Sequence, residues 1–454
     1  MNLNDNIFRA NDIRGIAFED LTEEVIFYLG KALGTESINR KQDDFIIGRD
    51  GRVSSPQLFE WLSEGILSTG CNVTDIGIVP SPVFYHSTFK LNSSSGVVIT
   101  GSHNPAYYNG FKILFNNNST SSEEIQSIKK RVKEKNFLSG TGSIKSIDII
   151  EDYVDEVTKN IKLKRPLNIS IDCGNGAAGI VAEKVYKGLD CEVEGLYCDL
   201  DGNFPNHHPD PSIPENVEDL IKSVLKNKSD VGLAFDGDAD RLGVISPSGE
   251  MILPDMQMIL FSEHILKYNP SSKIVFDVKC SKLLEKAILK SKGMPIMSKT
   301  GHTFIKSMIR DNGAILGGEM SGHIFFNDRW PGFDDGVYAG ARMLEILSQS
   351  EGEDIFNALP KLVSTPEINI KTTDEDKFSI IDEFKKMSNF EDGKIIDIDG
   401  IRVEFNNGWG LLRASNTSPV LVLRFEADSL KALNNIKDRF KDTLEKIEPS
   451  LTNF

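Results

Sequence analysis

A chain of 454 residues, 39% hydrophobic and 26% charged, has the composition of a soluble globular protein, and its length allows roughly three domains, each able to bury its own core. Its formal charge of −16 argues against attachment to nucleic acid or anionic membranes, so an anionic substrate must find local positive charge. No apolar run is long enough to span a membrane, Met1-Asn2-Leu3 opens no signal peptide, and five cysteines without a C-x-x-C pair predict a cytoplasmic protein with reduced thiols and no zinc or redox role.

Strand-like apolar runs alternate with helical patterns, the signature of α/β units with helices on a parallel or mixed sheet. Near the start, Phe8-Arg9-Ala10-Asn11-Asp12-Ile13-Arg14-Gly15 carries two arginines. Gly48-Arg49-Asp50-Gly51-Arg52 carries two more after the strand-like Phe45-Ile46-Ile47. Singly, each arginine is as readily a surface ion pair as a ligand. Ser54-Ser55-Pro56 predicts a helix start, with serine as cap and proline in the first turn. The strand-like Gly96-Val97-Val98-Ile99 then empties into Thr100-Gly101-Ser102-His103-Asn104-Pro105, with Ser102 at the tip. A serine is a poor nucleophile unless a base or cation activates it, and this loop alone reads as a serine capping its own turn. An esterase elbow is excluded, since Thr100 and Asn104 stand where G-x-S-x-G needs glycine. Lys112 follows on a strand-like run, and Asn116 to Ser122 reads as a surface turn before a helix carrying Glu123 and Glu124.

Farther on, Gly174-Asn175-Gly176-Ala177-Ala178-Gly179 fits G-x-G-x-x-G after a strand, with Glu192 and Glu194 at the distance for a ribose, which admits a dinucleotide-dependent oxidoreductase. Glycines at those spacings also serve any tight strand-to-helix turn. His207-His208 near Pro209 reads as a surface loop. After the buried-strand pattern Val231 to Phe235 comes Asp236-Gly237-Asp238-Ala239-Asp240-Arg241, where alternate carboxylates on a glycine-containing turn can face one hard cation. A calcium loop is excluded, because its sixth position is Arg241 and its twelfth Pro247. Magnesium, which takes few carboxylates and keeps positions for water or phosphate, fits better.

His302 lies at a predicted helix entrance, and Ala314 to Gly317 leads into Gly318-Glu319-Met320-Ser321-Gly322-His323. Glu319 can accept from hydroxyls, and Ser321 can both donate and accept. Finally, Gly408 to Leu412 and Val420 to Phe425 predict a hairpin holding Arg413-Ala414-Ser415-Asn416-Thr417-Ser418-Pro419 at its tip, and Leu430 to Ile447 predicts an amphipathic helix.

The loops Thr100 to Pro105, Asp236 to Arg241, Gly318 to His323 and Arg413 to Pro419, in that order across nearly the whole chain, resemble those of the α-D-phosphohexomutases, in their bacterial phosphomannomutase/phosphoglucomutase branch. The resemblance implies four domains around a central cleft: three α/β domains with mixed sheets (1–149, 150–250, 251–365) and a smaller α+β domain (366–454). It implies interconversion of hexose 1- and 6-phosphates of mannose or glucose, through a phosphoserine at Ser102 and a hexose 1,6-bisphosphate. An aminosugar phosphate is the alternative substrate, and a non-enzymatic sugar-phosphate binder the alternative class. In the family pattern Mg²⁺ sits on Asp236, Asp238, Asp240 and the Ser102 oxygen. Arg14, Lys112 and His302 join the chemistry, while Arg241, Glu319, Ser321, His323, Arg413, Ser415, Asn416 and Thr417 hold substrate. The branch often carries an aromatic residue where this chain has Asn11. The expected partners are free sugar phosphates, the expected state a monomer or weak homodimer, and the last domain is expected to rotate about Ser364-Thr365-Pro366.

Overall fold

A computed structural model describes residues 3–9, 12–349, 354–373, 375–415, 418–452 and 454. Four sheets follow one another along the chain. In the first, the strand order is Ile13–Ile16, Tyr108–Phe115, Gly96–Ile99, Asp44–Arg49, Asn72–Ile78, Ile144–Ser146, with Asn118–Ser119 added beside Tyr108–Phe115. Its middle strands pair parallel and Tyr108–Phe115 runs antiparallel to both neighbours, so the sheet is mixed. Gly96–Ile99 is buried at every position, as expected of a central strand that reads as a continuous apolar run.

The second sheet runs Met251–Ile252, Leu242–Ile245, Val231–Phe235, Asn168–Asp172, Glu192–Leu196. The third runs Met294–Ser298, Lys273–Asp277, Leu316–Gly318, Ile324–Phe326. These two share one hydrophobic core, in which Ile169, Leu233, Phe276 and Phe326 belong to a single cluster that also takes in Ile46 and Val98 from one face of the first sheet. The reason is the helix Gly336–Leu347, whose twelve residues are all buried. A helix buried on every side needs partners all round: this one lies between the two sheets, and its two charged residues are paired, Arg342 with Asp328 at 2.7 Å and Glu345 with Arg329.

The fourth sheet is antiparallel, ordered Val363–Ser364, Val420–Ala427, Gly408–Ala414, Ile401–Phe405, Lys394–Ile396, with Ile368–Lys371 also on Val420–Ala427. It keeps a core of its own under the helix Leu430–Ile447, with Phe384, Phe425 and Phe440 inside. Among the described residues, a small cluster of Val278, Trp409 and Leu411 joins it apolarly to the third domain. The remaining joint is polar: Arg402 donates to the carbonyls of Val278 and Cys280 at 2.7 Å each, and Arg424 pairs with Asp255 at 3.2 Å.

Two local expectations change. The helix Ser55–Leu67 begins where Ser54-Ser55-Pro56 predicts, but the Ser54 hydroxyl caps nothing and instead accepts from Asn109 Nδ2 at 2.8 Å. The turn from Asn116 is not merely surface: Asn118 accepts from Arg310 of the third domain, and Ser119 from Lys306 at 3.4 Å. Ser121 then caps the helix Ser122–Glu134 reciprocally with Glu124.

Candidate active site

The Ser102 loop leaves the end of the central strand Gly96–Ile99 in an unusual conformation. Ser102 has φ of 49°, a left-handed value that a side chain adopts only when its surroundings hold it there. Arg52 does the holding. Its side chain is fully buried, with Nη2 donating to the carbonyls of Ser102 (2.7 Å) and Asn104 (2.6 Å), and Nη1 to those of Pro105 (2.6 Å) and Tyr108 (3.0 Å). Asp50 orients this fork through Nε at 3.2 Å and accepts from Gly101 N. Thr100 Oγ1 accepts from Ser102 N at 2.9 Å.

The aspartate loop meets Ser102 head on. A Cβ on Gly237 would lie 2.4 Å from the Ser102 carbonyl oxygen, so only glycine permits this approach. Ser102 Oγ donates to Asp236 Oδ2 at 3.0 Å and lies 3.2 Å from His103 Nδ1. Ala239, at φ 63°, turns the loop so that Asp236, Asp238 and Asp240 converge, each with no exposed surface and with carboxylate oxygens within 4.8 Å of one another. Lys112 Nζ bridges Asp238 (2.6 Å) and Asp240, and Ser81 Oγ donates to Asp238 at 2.5 Å.

Charge in this cluster is unbalanced. Burial together with the neighbouring Asp240 and Asp238 charges pushes the Asp236 carboxyl well up. Burial acts the same way on Asp238, but the Lys112 charge and hydrogen bond outweigh it and hold that carboxyl below the usual range. Asp238 Oδ1 and Asp240 Oδ1 are buried without a hydrogen-bond partner. Three carboxylates against one ammonium leave the cluster negative, and its two orphaned oxygens offer ligands that fit a hard divalent cation.

Behind this cluster sits a pair of histidines. Arg241 Nε lies 3.1 Å from His323 Nε2, and the backbones of Arg241 and His323 form a bridge between the second and third domains. The rings of His302 and His323 stack with centroids 5.6 Å apart. Both turn Nδ1 to the buried Asp334, at 3.4 and 3.1 Å, and Lys306 pairs with Asp334 at 2.6 Å. Burial lowers the His302 pKa despite Asp334, so the ring is held neutral.

At the opposite wall Glu319 occupies the tight loop between Leu316–Gly318 and Ile324–Phe326, accepting from Gly301 N and, at 3.2 Å, from Ser321 Oγ. Arg413 ends the hairpin strand Gly408–Ala414, with Nε on Asp399 Oδ2 at 3.0 Å and Nη2 buried without a partner. Asp399 also accepts from Thr300 N at 3.0 Å, so this arginine stands where the fourth domain meets the third. Ser415 is buried and accepts from Ser418 N at 3.2 Å, while Asn416 and Thr417 lie outside the described residues, as does Asn11.

Successive segments match the models for phosphoglucomutase/phosphomannomutase alpha/beta/alpha domain I (residues 5–139), domain II (151–249) and domain III (253–364), and for the C-terminal domain (367–443). The chain belongs to the phosphoglucomutase/phosphomannomutase family. It is 48% identical over 451 residues to the phosphomannomutase/phosphoglucomutase of Pseudomonas putida, covering 99% of this chain and 97% of that protein. A phosphoglucomutase of Neisseria gonorrhoeae is 47% identical, covering 97% of each. The solved phosphoglucomutase/phosphomannomutase family protein of Burkholderia thailandensis is 43% identical, covers 98% of each chain and superposes with a TM-score of 0.95. The chain is therefore a hexose-phosphate mutase, an isomerase acting on small sugar phosphates.

The dinucleotide reading falls with this. In the mutase the Gly174 turn is filled by protein, since a Cβ on Gly176 would lie 2.8 Å from the Gly237 carbonyl oxygen, which itself accepts from Ala177 N at 2.9 Å. His207 is half-buried rather than on the surface, with Nε2 on Asp172 at 3.1 Å. Arg14 reaches the Ser102 loop, donating to Asn104 Oδ1 at 2.6 Å, with its Nε buried and unpartnered. Lys112 touches the aspartates rather than Ser102. Reading the sequence alone misses Ser81, Asp334, Lys306, Asp399 and the carbonyl-binding role of Arg52. Asp334 had one signal, an acidic pair with Asp335 at the start of an apolar helix, which capping by Asp335 alone would explain.

Proposed function

We propose that this mutase interconverts the 1- and 6-phosphates of mannose and glucose, in the cytoplasm and as a monomer or weak homodimer, through a phosphate carried on Ser102 and a hexose 1,6-bisphosphate intermediate. The observation carrying this reading is the Ser102 hydroxyl set on Asp236 at 3.0 Å beside two further buried aspartates with orphaned oxygens. Asp236, Asp238, Asp240 and the Ser102 oxygen would hold Mg²⁺, which when bound would neutralise charge on the phosphoryl oxygens.

The phosphate begins as an ester of Ser102 Oγ. A hexose 1-phosphate docks its own phosphate on the unpaired Nη2 of Arg413, with Ser415, Asn416 and Thr417 as further donors. Its O6 attacks in line, so that the bond from phosphorus to Ser102 Oγ breaks as the bond to O6 forms. The O6 proton passes to neutral His302, through the ring nitrogen not turned to Asp334. Lys112, Arg14 and Arg241 offset negative charge around the transferring group, and His323, accepting from Arg241 Nε, sets that guanidinium beside the substrate. The bisphosphate then turns end for end, and its other phosphate returns to Ser102, leaving hexose 6-phosphate. Glu319 and Ser321 read hydroxyls at C3 and C4, which glucose and mannose share, so C2 goes unread.

The test is to give pure protein, Mg²⁺ and a trace of hexose bisphosphate each 1-phosphate in turn. Comparable kcat/KM for mannose and glucose, with a phosphate adduct at Ser102 by mass spectrometry, is the expected result. A preference for N-acetylglucosamine phosphate overturns the substrate, and an undiminished rate in Ser102→Ala overturns the mechanism.

A further inference from the structure

The G-x-G-x-x-G turn, which the mutase reaction leaves without a chemical task, brings two thiols together. Cys198 Sγ lies 3.6 Å from Cys173 Sγ. The fold enforces the pairing: strands Asn168–Asp172 and Glu192–Leu196 run parallel with Asp172 opposite Leu196. Beyond the strand ends the chains stay bonded, Cys173 N to Leu196 O at 3.1 Å and Asn175 N to Tyr197 O at 2.8 Å. Cys173 is buried, and Cys198 is partly exposed. We propose that Cys173 and Cys198 are a modification site for hydroperoxides, closing to a reversible disulfide that slows the mutase.

The chemistry balances with the hydroperoxide as oxidant. The Cys198 thiolate attacks the peroxide oxygen, an S–O bond forms as the O–O bond breaks, and the departing oxygen takes a proton to leave as water or an alcohol. The Cys173 sulfur then attacks the Cys198 sulfenic acid; the S–S bond forms, the S–O bond breaks, and the hydroxyl leaves as water with the Cys173 proton. Two thiols are oxidised by two electrons and one peroxide is reduced. A dithiol reverses the bond by exchange. The hydrogen bond with Cys198, together with burial, pushes the Cys173 thiol well up, which suits Cys173 as the second thiol and Cys198 as the first. Burial pushes Cys71 up to about 12 and Cys191 up to about 11, and neither has a thiol neighbour among the described residues.

The effect on turnover follows from what the turn supports. An S–S bond is about 2.0 Å long, so sulfurs 3.6 Å apart must draw together and both side chains must turn from their present seats. The Cys198 carbonyl is seated closely on Gly179, with its oxygen 1.9 Å from where a Cβ there would be. On the other side Cys173 begins the turn from Gly174 to Ala177, its carbonyl accepting from Gly176 N at 2.7 Å, so a shift of Cys173 is passed to that turn. That turn holds the aspartate loop through Ala177 N on Gly237 O at 2.9 Å, and Gly237 abuts Ser102.

The experiment treats the full-length native protein with hydrogen peroxide, blocks free thiols with iodoacetamide, and maps peptides without reduction. One cross-linked pair, Cys173 with Cys198, is expected, and this readout is independent of the sugar specificity or phosphoserine chemistry proposed above. Mutase turnover should fall roughly tenfold or more, as about 1 Å of misplacement at a reacting centre does, and return with dithiothreitol. Cys198→Ser should keep its basal rate, form no link and resist peroxide, whereas Cys191→Ser should still close. Recovery of Cys198 as sulfinic acid with Cys173 reduced overturns the proposal, and so does a cross-linked protein of unchanged turnover.

Discussion

The Ser102 hydroxyl donates to the Asp236 carboxylate at 3.0 Å across 134 positions of sequence, tying a loop of the first sheet to a loop of the second. Neither loop would hold this relation alone. Ser102 sits in a left-handed conformation fixed by Arg52, and Asp236 keeps company with two like charges that Lys112 bridges, with Arg241 3.7 Å from Asp236 itself. The site is thus built from two strained halves, each stabilised by the other.

Lys112 is the keystone of that balance. Lys112→Met keeps the aliphatic stem but leaves Asp236, Asp238 and Asp240 without their ammonium. Breaking a buried ion pair by removing one partner costs about 3–5 kcal/mol. The variant should therefore melt well below the wild type in EDTA and recover much of the difference in Mg²⁺, while turnover stays at least about a hundredfold down. Thermal melts in EDTA and in Mg²⁺, with a coupled assay, check this. A variant that melts as the wild type does without divalent cation would show that the carboxylates were already compensated.

Arg52 acts without touching substrate. Its four bonds to carbonyls are charge-assisted, and Arg52→Lys cannot reproduce the fork. Loss of the Ser102 and Asn104 contacts should release the left-handed turn and lower kcat by roughly ten- to a hundredfold. KM should change little, since Arg413 on the fourth domain is untouched. Steady-state kinetics separate the two parameters, and a rise in KM alone would place Arg52 in binding instead.

These residues also show what the sequence could and could not yield. The four functional loops were legible because each follows an apolar run of strand length and packs several polar side chains into a few positions. Arg52 was not, because its partners are main-chain carbonyls of residues 102 to 108, which no side-chain pattern advertises. Asp334 was hidden by its neighbour Asp335, whose capping of the helix Gly336–Leu347 suffices to explain an acid there. Ser54 read as a cap, yet Asn109 from a distant strand claims its hydroxyl. The core shared among the first three sheets was equally invisible, since it depends on where elements such as the fully buried helix after Asp335 come to rest. Thiol spacing argued against a redox role, whereas parallel strand pairing brings Cys173 to Cys198.

Asp335 gives the protein a pH-dependent stability. Burial pushes its carboxyl up to about 7, against the lowering hydrogen bonds from Tyr338 N and the Tyr153 hydroxyl. The folded form then retains a proton that the unfolded chain, near the ordinary value of about 3.9, gives up. Between those values the native state binds more protons, so stability is fully present at low pH and is lost as pH rises towards 7. The full shift corresponds to roughly 4 kcal/mol. Asp335→Asn keeps a capping oxygen and removes the titration, so urea midpoints measured from pH 5 to 8 should flatten in the variant while the parent declines. Parallel slopes in the two proteins would exclude this residue as the source.

Arg413 separates binding from chemistry. Its Nε is fixed by Asp399, which also accepts from Thr300 N of the third domain, and its Nη2 is left for an anion. In the proposed mechanism the substrate phosphate at Arg413 is not the one transferred, so its contacts are made equally before and at the transition state, and their loss should appear in KM rather than kcat. Arg413→Ala should raise KM by roughly ten- to a hundredfold, as loss of a charge-assisted bidentate contact does, with kcat within a few-fold of the wild type. Ser102→Ala should do the reverse, nearly abolishing kcat. Because Asp399 anchors Arg413 and the domain contact together, Asp399→Ala should raise KM as well and widen the angle of the fourth domain, read by small-angle scattering with and without sugar phosphate. If Asp399→Ala leaves both KM and the scattering profile unchanged, the fourth domain turns about some contact other than Thr300 to Asp399.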